Sequence, residues 1–199
     1  MGRYPLRMTS IENLAAHVME AGHGVDRPII LALDGRSGAG KSTLAAALAT
    51  QIEAAVIEGD DFYAGGIDLR SDNPEARIDA CIDWTRQRQV LRGLQAGQAV
   101  EWRAFDWDAF DGRLLYPPTA LSPAKHVILE GVYAARPELA DLLDLRVLVE
   151  VAPGIRKARL LDREGAIGAW ERQWHEAEDR YFQDVMPPER FDLIYPDPA

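Results

Sequence analysis

The sequence predicts an α/β fold in which a parallel sheet is flanked by helices. Short apolar segments alternate with helical patterns along the chain, and this alternation is typical of βαβ units with right-handed crossovers. Residues 28–34 are almost wholly apolar, as expected of a central strand that is buried on both faces. The chain has 199 residues, 47% of them hydrophobic and 27% charged, which is enough to bury one sizeable core. We therefore expect a single domain over residues 1–199.

Five apolar segments have the length and the bounding turn residues of strands. The first is the strongest, because its run of Ile, Leu and Ala is nearly unbroken. A weaker extended segment, rich in aromatic residues, occupies 100–105. The five predicted strands are residues 28–34, 54–57, 126–130, 145–151 and 191–195.

Helical periodicity marks most of the segments between these strands. Thr9 and Glu12 have the spacing of a capping box, which begins an amphipathic helix that ends near Gly22. Asp83 is expected to cap a later helix, although its carboxylate could also contact a substrate hydroxyl. The further predicted helices cover residues 42–52, 83–95, 137–143, 155–163 and about 170–182.

The charge balance argues against nucleic acid and membranes as partners. Lys and Arg number 22 against 32 Asp and Glu, which gives a net charge of −10 and a pI near 4.9. Such a chain repels phosphate backbones and anionic lipids. The longest apolar runs also fall short of the roughly 20 residues that span a bilayer. Because Cys81 is the lone cysteine, we expect a reducing compartment, the cytoplasm.

Residues 35–42 match the pattern G-x-x-x-x-G-K-[ST] between a predicted strand and a predicted helix. The chain has only three lysines, so a lysine at this position is hard to meet by chance. In such a loop the backbone N–H groups and the helix N-terminus hold a chain of phosphates. The predicted nucleotide-binding residues are Gly35, Ser37, Gly38, Ala39, Gly40, Lys41, Ser42 and Thr43.

Two residues of this loop carry specific chemistry. Lys41 is expected to reach the β and γ phosphates of ATP, where it also acts as a catalytic residue. The hydroxyl of Ser42 is expected to ligate the Mg²⁺ ion that bridges the same phosphates. ATP and Mg²⁺ are therefore the predicted cofactors.

Asp60 and Asp61 follow the second predicted strand, at the sheet edge where ligands of open α/β sheets bind. A carboxylate at this position can accept the proton of an attacking hydroxyl during phosphoryl transfer. Either aspartate could be this base. The alternative is that both merely cap a helix or form a solvated turn.

Four segments together resemble the uridine kinases and their P-loop relatives. They are the glycine-rich loop 35–42, the sequence DDFY at 60–63, FDW at 105–107 and VILEG at 127–131. The resemblance implies a P-loop NTPase of the nucleoside or nucleotide kinase type, with a five-stranded parallel sheet and a short helical lid over about 156–175. It also implies transfer of a phosphoryl group from ATP to a sugar hydroxyl.

Alignment with this family makes Asp60 the base and places Asp61 where a serine is usual. The departures lie in the part of the motif that holds the nucleoside. Phe110 stands where the family has a histidine, and Gly112 stands where it has an arginine. The resemblance therefore supports kinase chemistry more strongly than it supports uridine as the acceptor.

Further candidates are arranged around this centre. The resemblance places Asp106 and Glu130 at the acceptor, and a carboxylate at Glu130 could also hold the magnesium site. Asp61, Tyr63 and Phe105 are also predicted to contact the acceptor, with core packing as the alternative for the two aromatic residues. Arg159 and Arg163 share a helix face and are predicted to stabilise the transferred phosphoryl group, with a solvated helix face as the alternative.

These observations predict an ATP-dependent kinase that phosphorylates a hydroxyl of a small molecule. A nucleoside resembling uridine or cytidine is the first choice of acceptor. The alternatives are another alcohol, such as a sugar, vitamin or antibiotic, and an ATPase switch controlled by a partner protein. A GTPase switch is disfavoured because neither Asn13 nor Asn73 begins an Asn-Lys-x-Asp guanine-binding motif. The oligomeric state is left open, with a homodimer as one option.

Overall fold

A computed structural model describes residues 4–196 and confirms the parallel α/β architecture. Six parallel strands form one sheet, and two further strands form a separate antiparallel ribbon. The strands are β1 (Leu6–Arg7), β2 (Ile29–Asp34), β3 (Ala54–Glu58), β4 (Val100–Trp102), β5 (Thr119–Leu121), β6 (His126–Glu130), β7 (Leu145–Glu150) and β8 (Leu193–Pro196). The order in the main sheet is β1-β8-β7-β2-β6-β3.

The prediction of five strands in this sheet was wrong by one. The additional strand, β1, has only two residues and lies at the sheet edge beside β8. It is held there by backbone bonds from Leu6 N to Asp192 O (3.2 Å) and from Met8 N to Ile194 O (2.8 Å). Two exposed residues leave no periodic pattern, so this pairing depends on contacts that are remote in sequence.

The helices largely follow the predicted periodicity. The capping box at Thr9 was wrong, because the N-cap is Ser10, whose hydroxyl accepts a hydrogen bond from Asn13 N at 3.3 Å. Asp83 does cap its helix, through Arg86 N at 3.0 Å. The helices are α1 (Ile11–Ala21), α2 (Lys41–Ile52), α3 (Pro74–Ala80), α4 (Trp84–Gln95), α5 (Pro153–Glu164) and α6 (Ala169–Arg180).

Shorter helical turns complete the chain. Residues 59–62 and 188–190 form 3-10 turns, and Tyr181–Val185 continues α6 as a π-helical turn. The predicted helix over 137–143 is only a 3-10 turn, Pro137–Leu139. Among the helices of residues 4–196, none is long and apolar enough to span a bilayer.

The core lies on both faces of the sheet. One face packs against α1 and α2, with Leu14, Val18 and Leu48 fully buried. The other face packs against α4 and the end of α6, and it contains most of the buried aromatic residues. Because β2 and β6 are both buried on two faces, their carboxyl ends are fixed in position by the core.

This arrangement brings the ends of three strands to one place. In the parallel register, Leu33 of β2 pairs with Glu130 of β6, and Glu58 of β3 pairs with the same Glu130. The glycine-rich loop after β2 and the acidic turn after β3 therefore lie at the same sheet edge.

Substitution of a buried strand residue tests how much the central strands contribute. Leu129 in β6 is fully buried (0% exposed), whereas Leu69 is 59% exposed. We expect Leu129→Ala to lower the free energy of unfolding by about 2–5 kcal/mol, because it leaves a cavity in the core. Leu69→Ala should change it by no more than about 0.5 kcal/mol. Urea unfolding measures both, and equal effects would contradict the proposed core.

Candidate active site

The glycine-rich loop has the geometry that phosphate binding requires. Gly38 and Gly40 have φ angles of +79° and +93°, in the region that favours glycine. A Cβ atom at Gly38 would lie 3.1 Å from the carbonyl oxygen of Arg156, so the loop also packs closely on α5. Within the described structure no side chain caps the first turn of α2, and Lys41 Nζ folds back to donate to Arg36 O at 3.3 Å. The open N–H groups suit an anionic ligand.

A buried carboxylate at the end of β2 fixes the start of this loop. Asp34 accepts hydrogen bonds from the backbone nitrogens of Gly35 (2.8 Å), Tyr133 (3.0 Å) and Ala135 (3.0 Å). It also accepts one from the Tyr181 hydroxyl at 2.8 Å. Burial raises the pKa of Asp34 to about 6, although these donors favour the charged form. The sequence analysis did not single out Asp34, and the only signal was an aspartate directly before the first glycine.

Four carboxylates gather at the adjacent sheet edge: Glu58, Asp60, Asp61 and Glu130. Loss of solvent raises the pKa of each, and for Glu130 the pKa reaches about 7. The positive charge of Lys41 opposes this rise in the pKa of Asp60 and Glu130, and the nearby Ser42 hydroxyl also lowers the pKa of Glu130. Lys41, Ser42, Asp60 and Glu130, all singled out from the sequence, are therefore brought together.

A cavity of about 520 Å³ opens between this acidic edge and the helices α5 and α6. Ser37 of the loop, Leu160 and Arg163 of α5 form one side of it, and Asp60 and Asp61 form another. The predicted lid segment, 156–175, lies in these two helices and in the turn that joins them.

Aromatic rings form the remaining wall. Trp107 and Phe110 are stacked with centroids 6.0 Å apart, and Trp170 and Trp174 are stacked at 5.8 Å. The two pairs meet where the Phe110 ring contacts Trp170 edge-on at 5.6 Å. Trp170 and Trp174 lie on one face of α6.

The predicted acceptor residues divide into two groups. Asp61 and Glu130 lie at the acidic edge, and Asp61 lines the cavity. Tyr63 and Phe105 are buried behind the aromatic wall, where the Tyr63 hydroxyl donates to Gly66 O at 2.6 Å. The Asp106 carboxylate accepts a hydrogen bond from Ala109 N at 2.9 Å, so it shapes the turn that carries Trp107. A direct contact of these three residues with the acceptor stays a prediction.

Two arginines of α5, Arg156 and Arg159, contact the loop, and a third, Arg163, lies in the cavity lining. Arg159 lies near Gly38, with 3.5 Å between its guanidinium and the Gly38 carbonyl oxygen. Arg163 lines the cavity and forms an ion pair with Glu164 at 2.7 Å. Ala39 is buried, whereas Ser42 and Thr43 are exposed in the first turn of α2.

The sequence analysis missed Glu178, a fully buried residue of α6 (0% exposed). Its carboxylate accepts hydrogen bonds from Ser37 N at 3.1 Å and from Trp174 Nε1 at 2.5 Å. The Ser37 hydroxyl donates to it as well, and Arg156 lies 3.7 Å away. Glu178 thus joins the phosphate loop to the aromatic wall, and in the sequence it looks like any glutamate of a charged helix.

The donor set fits Mg²⁺ only in combination with phosphates. Across residues 4–196 there is no cluster of three His, Cys, Asp or Glu side chains arranged to hold a metal ion. Mg²⁺ commonly takes one or two protein oxygens together with water and phosphate oxygens. The Ser42 hydroxyl and the Glu130 carboxylate, which is close enough for Ser42 to lower its pKa, supply such oxygens next to the loop.

Comparison with known proteins agrees with this geometry. A family model described as the phosphoribulokinase/uridine kinase family matches residues 30–167. A uridine kinase of Lactobacillus johnsonii is 30% identical over 151 residues, which cover 69% of this chain and 68% of that protein.

Solved structures support the fold. A possible uridine kinase from Bacillus stearothermophilus has a TM-score of 0.69 at 21% identity, over 93% of this chain and 96% of that chain. A candidate fructose transport system kinase from Silicibacter sp. TM1040 has a TM-score of 0.70, also at 21% identity, over 95% of this chain and 100% of that chain. At these identities the likeness concerns the fold alone.

Removal of the Glu178 carboxylate tests its structural role. We expect Glu178→Ala to lower the free energy of unfolding by about 1–3 kcal/mol, because Ser37 and Trp174 lose a buried acceptor. Glu176→Ala on the same helix is the control, since that side chain is 65% exposed with a single ion pair to Arg77. Urea unfolding of both variants provides the comparison, and a similar small effect at both positions would rule out the anchoring role.

Proposed function

Because the chain belongs to the phosphoribulokinase/uridine kinase family, we propose that it transfers the γ-phosphoryl group of ATP to a hydroxyl of a small molecule. The observation that carries this proposal is the juxtaposition of two chemically complementary groups. The phosphate loop with Lys41 lies beside the carboxylate of Asp60, and both open onto a cavity of about 520 Å³. Such a cavity has the size of a small-molecule site.

Within the loop Gly35 to Thr43, the backbone N–H groups at the uncapped start of α2 would bind the phosphates of ATP. The N–H groups of Gly35, Ser37 and Ala39 donate to other protein groups and shape the loop. Lys41 would place its positive charge on the β and γ phosphates, where it offsets the charge that develops during transfer. Ser42 and Glu130 would hold Mg²⁺, and the bound ion neutralises charge on the same phosphates.

Asp60 is the proposed base. The acceptor oxygen would attack the γ phosphorus, the bond to the β–γ bridging oxygen would break, and ADP would leave. The hydroxyl proton would pass to the Asp60 carboxylate. Desolvation raises the pKa of Asp60, and a carboxylate with a raised pKa is a stronger base near neutral pH. Arg159 and Arg163 would stabilise the transferred group from α5.

The family relationship suggests a pyrimidine nucleoside as the first acceptor to test, because the curated relative is a uridine kinase. One observation favours a different alcohol. The Phe110 ring lines the cavity, and it offers no hydrogen bond to a nucleobase. The acceptor panel should therefore contain uridine, cytidine, sugars, vitamins and aminoglycosides.

Lys41→Ala should reduce ADP release by about 100-fold or more, because it removes the charge on the reacting phosphates. Lys157→Ala provides a matched control, since Lys157 is an exposed lysine on α5. A coupled ADP-release assay with Mg-ATP and the acceptor panel measures both variants. Undiminished turnover in Lys41→Ala would contradict the role of the loop.

The two neighbouring aspartates can be separated experimentally. Asp60→Asn should leave ATP binding intact and lower the rate of phosphoryl transfer by about 10²–10⁴-fold, because the base is lost. Asp61→Asn is isosteric and adjacent. At saturating acceptor it should retain most of the transfer rate, because Asp61 is expected to bind the acceptor and not to take its proton. ATP affinity is measured by calorimetry and transfer by single-turnover kinetics. The reverse order of effects would make Asp61 the base.

The acidic edge predicts a pH dependence of activity. The carboxylates act in their ionised forms, and their pKa values are raised, that of Glu130 to about 7. Activity should therefore fall as the pH decreases below about 7. In Glu130→Gln the part of the acidic limb centred near pH 7 should disappear, because the substituted side chain no longer titrates. Profiles of kcat/KM from pH 5 to 9 measure this shift, and a flat wild-type profile would exclude it.

A further inference from the structure

The acceptor side of the cavity combines aromatic faces with more carboxylates than phosphoryl transfer uses. Of the four carboxylates at the acidic edge, Asp60 and Glu130 are influenced by the positive charge of Lys41 and have roles in the proposed reaction. The other two, Glu58 and Asp61, line the cavity together with Asp60, Glu164 and Glu171. Their pKa values are raised by desolvation and by repulsion from neighbouring carboxylates, which Arg86 partly offsets at Asp61.

Positive charge is scarce on the same surface. Of the described residues that line the cavity, none is a lysine, one is an arginine, Arg163, and one is a histidine, His175. The arginine is paired with Glu164 at 2.7 Å, and its charge also acts on Asp60. An acceptor that carries its own phosphate or carboxylate would therefore meet repulsion, whereas a cation would be attracted.

The aromatic wall is attached directly to the acidic turn. Trp107 Nε1 donates to the carbonyl oxygen of Asp60 at 3.2 Å, and Phe105 N donates to the carbonyl oxygen of Asp61 at 2.9 Å. The Asp61 carboxylate accepts a hydrogen bond from Trp102 at 2.6 Å and retains capacity for further donors. The rings and the carboxylates thus border one space.

The rings themselves are arranged as two stacked pairs, Trp107 with Phe110 and Trp170 with Trp174. The two pairs meet at Phe110 and Trp170, whose ring planes are nearly perpendicular, with an angle of 87° between them. Aromatic faces carry negative potential, so rings on several sides attract an ammonium group, most strongly where water is excluded.

We propose that the acceptor is an alcohol that carries a positive charge, either an amine or a quaternary ammonium group. The cationic group would rest against Trp107, Phe110 and Trp170 beside the carboxylate of Asp61. Its hydroxyl would face Asp60. This inference rests on the proposed kinase function and narrows its substrate class. The amine takes no part in the bond changes, which remain those of the transfer described above.

A matched pair of probes measures the effect of the positive charge on binding. Choline and 3,3-dimethylbutan-1-ol have nearly the same shape, but the first carries a quaternary ammonium group and the second a neutral tert-butyl group. Binding to the full chain is followed by tryptophan fluorescence, because Trp107, Trp170 and Trp174 line the cavity. We expect choline to bind at least tenfold more tightly, and added salt should reduce this difference.

Two variants test which side chains are responsible for the preference for choline over 3,3-dimethylbutan-1-ol. Asp61→Asn should reduce the preference for choline several-fold, and Trp107→Leu should reduce it through loss of a ring face. Glu101→Gln removes one negative charge from an exposed position on β4 and serves as the control. Thermal unfolding establishes that each variant is folded. A preference that survives in both cavity variants, or that falls equally in Glu101→Gln, would overturn the assignment.

Measurement of turnover tests the kinase activity and the cationic acceptor separately. The panel pairs choline, ethanolamine and glucosamine with 3,3-dimethylbutan-1-ol, glucose and uridine in the ADP-release assay. Phosphorylation of the cationic members alone supports both proposals. Phosphorylation of uridine or a neutral alcohol, without preferred binding of any amine, retains the kinase and overturns the cationic acceptor. Selective binding of the amines without any transfer supports the cation site and contradicts the kinase.

Discussion

The buried carboxylate of Asp34 is the contact on which the rest of the site depends. Through four hydrogen bonds it joins the start of the phosphate loop, the segment after β6 and Tyr181 at the end of α6. A buried acceptor of this kind is costly to leave unpaired. The loop, the acidic edge and the lid helix are therefore held in a fixed relation, and the cavity between them has a defined shape.

The site concentrates negative charge at a cost to stability. Glu58, Asp60, Asp61 and Glu130 lie at the end of two adjacent strands, and the raised pKa of each reports unfavourable interactions of its ionised form. The parallel register forces two of these carboxylates to lie side by side, because Glu58 and Glu130 are paired residues in strands whose other positions form the core. Unfavourable interactions of this kind between neighbouring charges are expected where the residues are selected for function and not for folding stability.

Local patterns predicted most of the fold, including the position of the glycine-rich loop. The βαβ alternation and the pattern at 35–42 are local signals, and the structure confirms the parallel sheet and places this loop between β2 and α2. The edge strand β1 and the carboxylate of Glu178 could not be predicted in this way. Each depends on partners far away in sequence, Asp192 for the first and Ser37 for the second. Neither segment differs in composition from an ordinary polar turn or helix.

The contrast between local patterns and contacts remote in sequence also explains a second point. Membership of the family says more about how phosphates are bound than about which acceptor is used. Phosphates are bound by backbone N–H groups and one lysine, a solution that is independent of the second substrate. In the proposed reaction the acceptor would be contacted by side chains, and half of the aromatic wall lies beyond the matched residues 30–167, at Trp170 and Trp174. Glu178 lies beyond them as well and connects Trp174 to the loop. Specificity in this chain can therefore change through α6 while the transfer chemistry at the sheet edge stays the same.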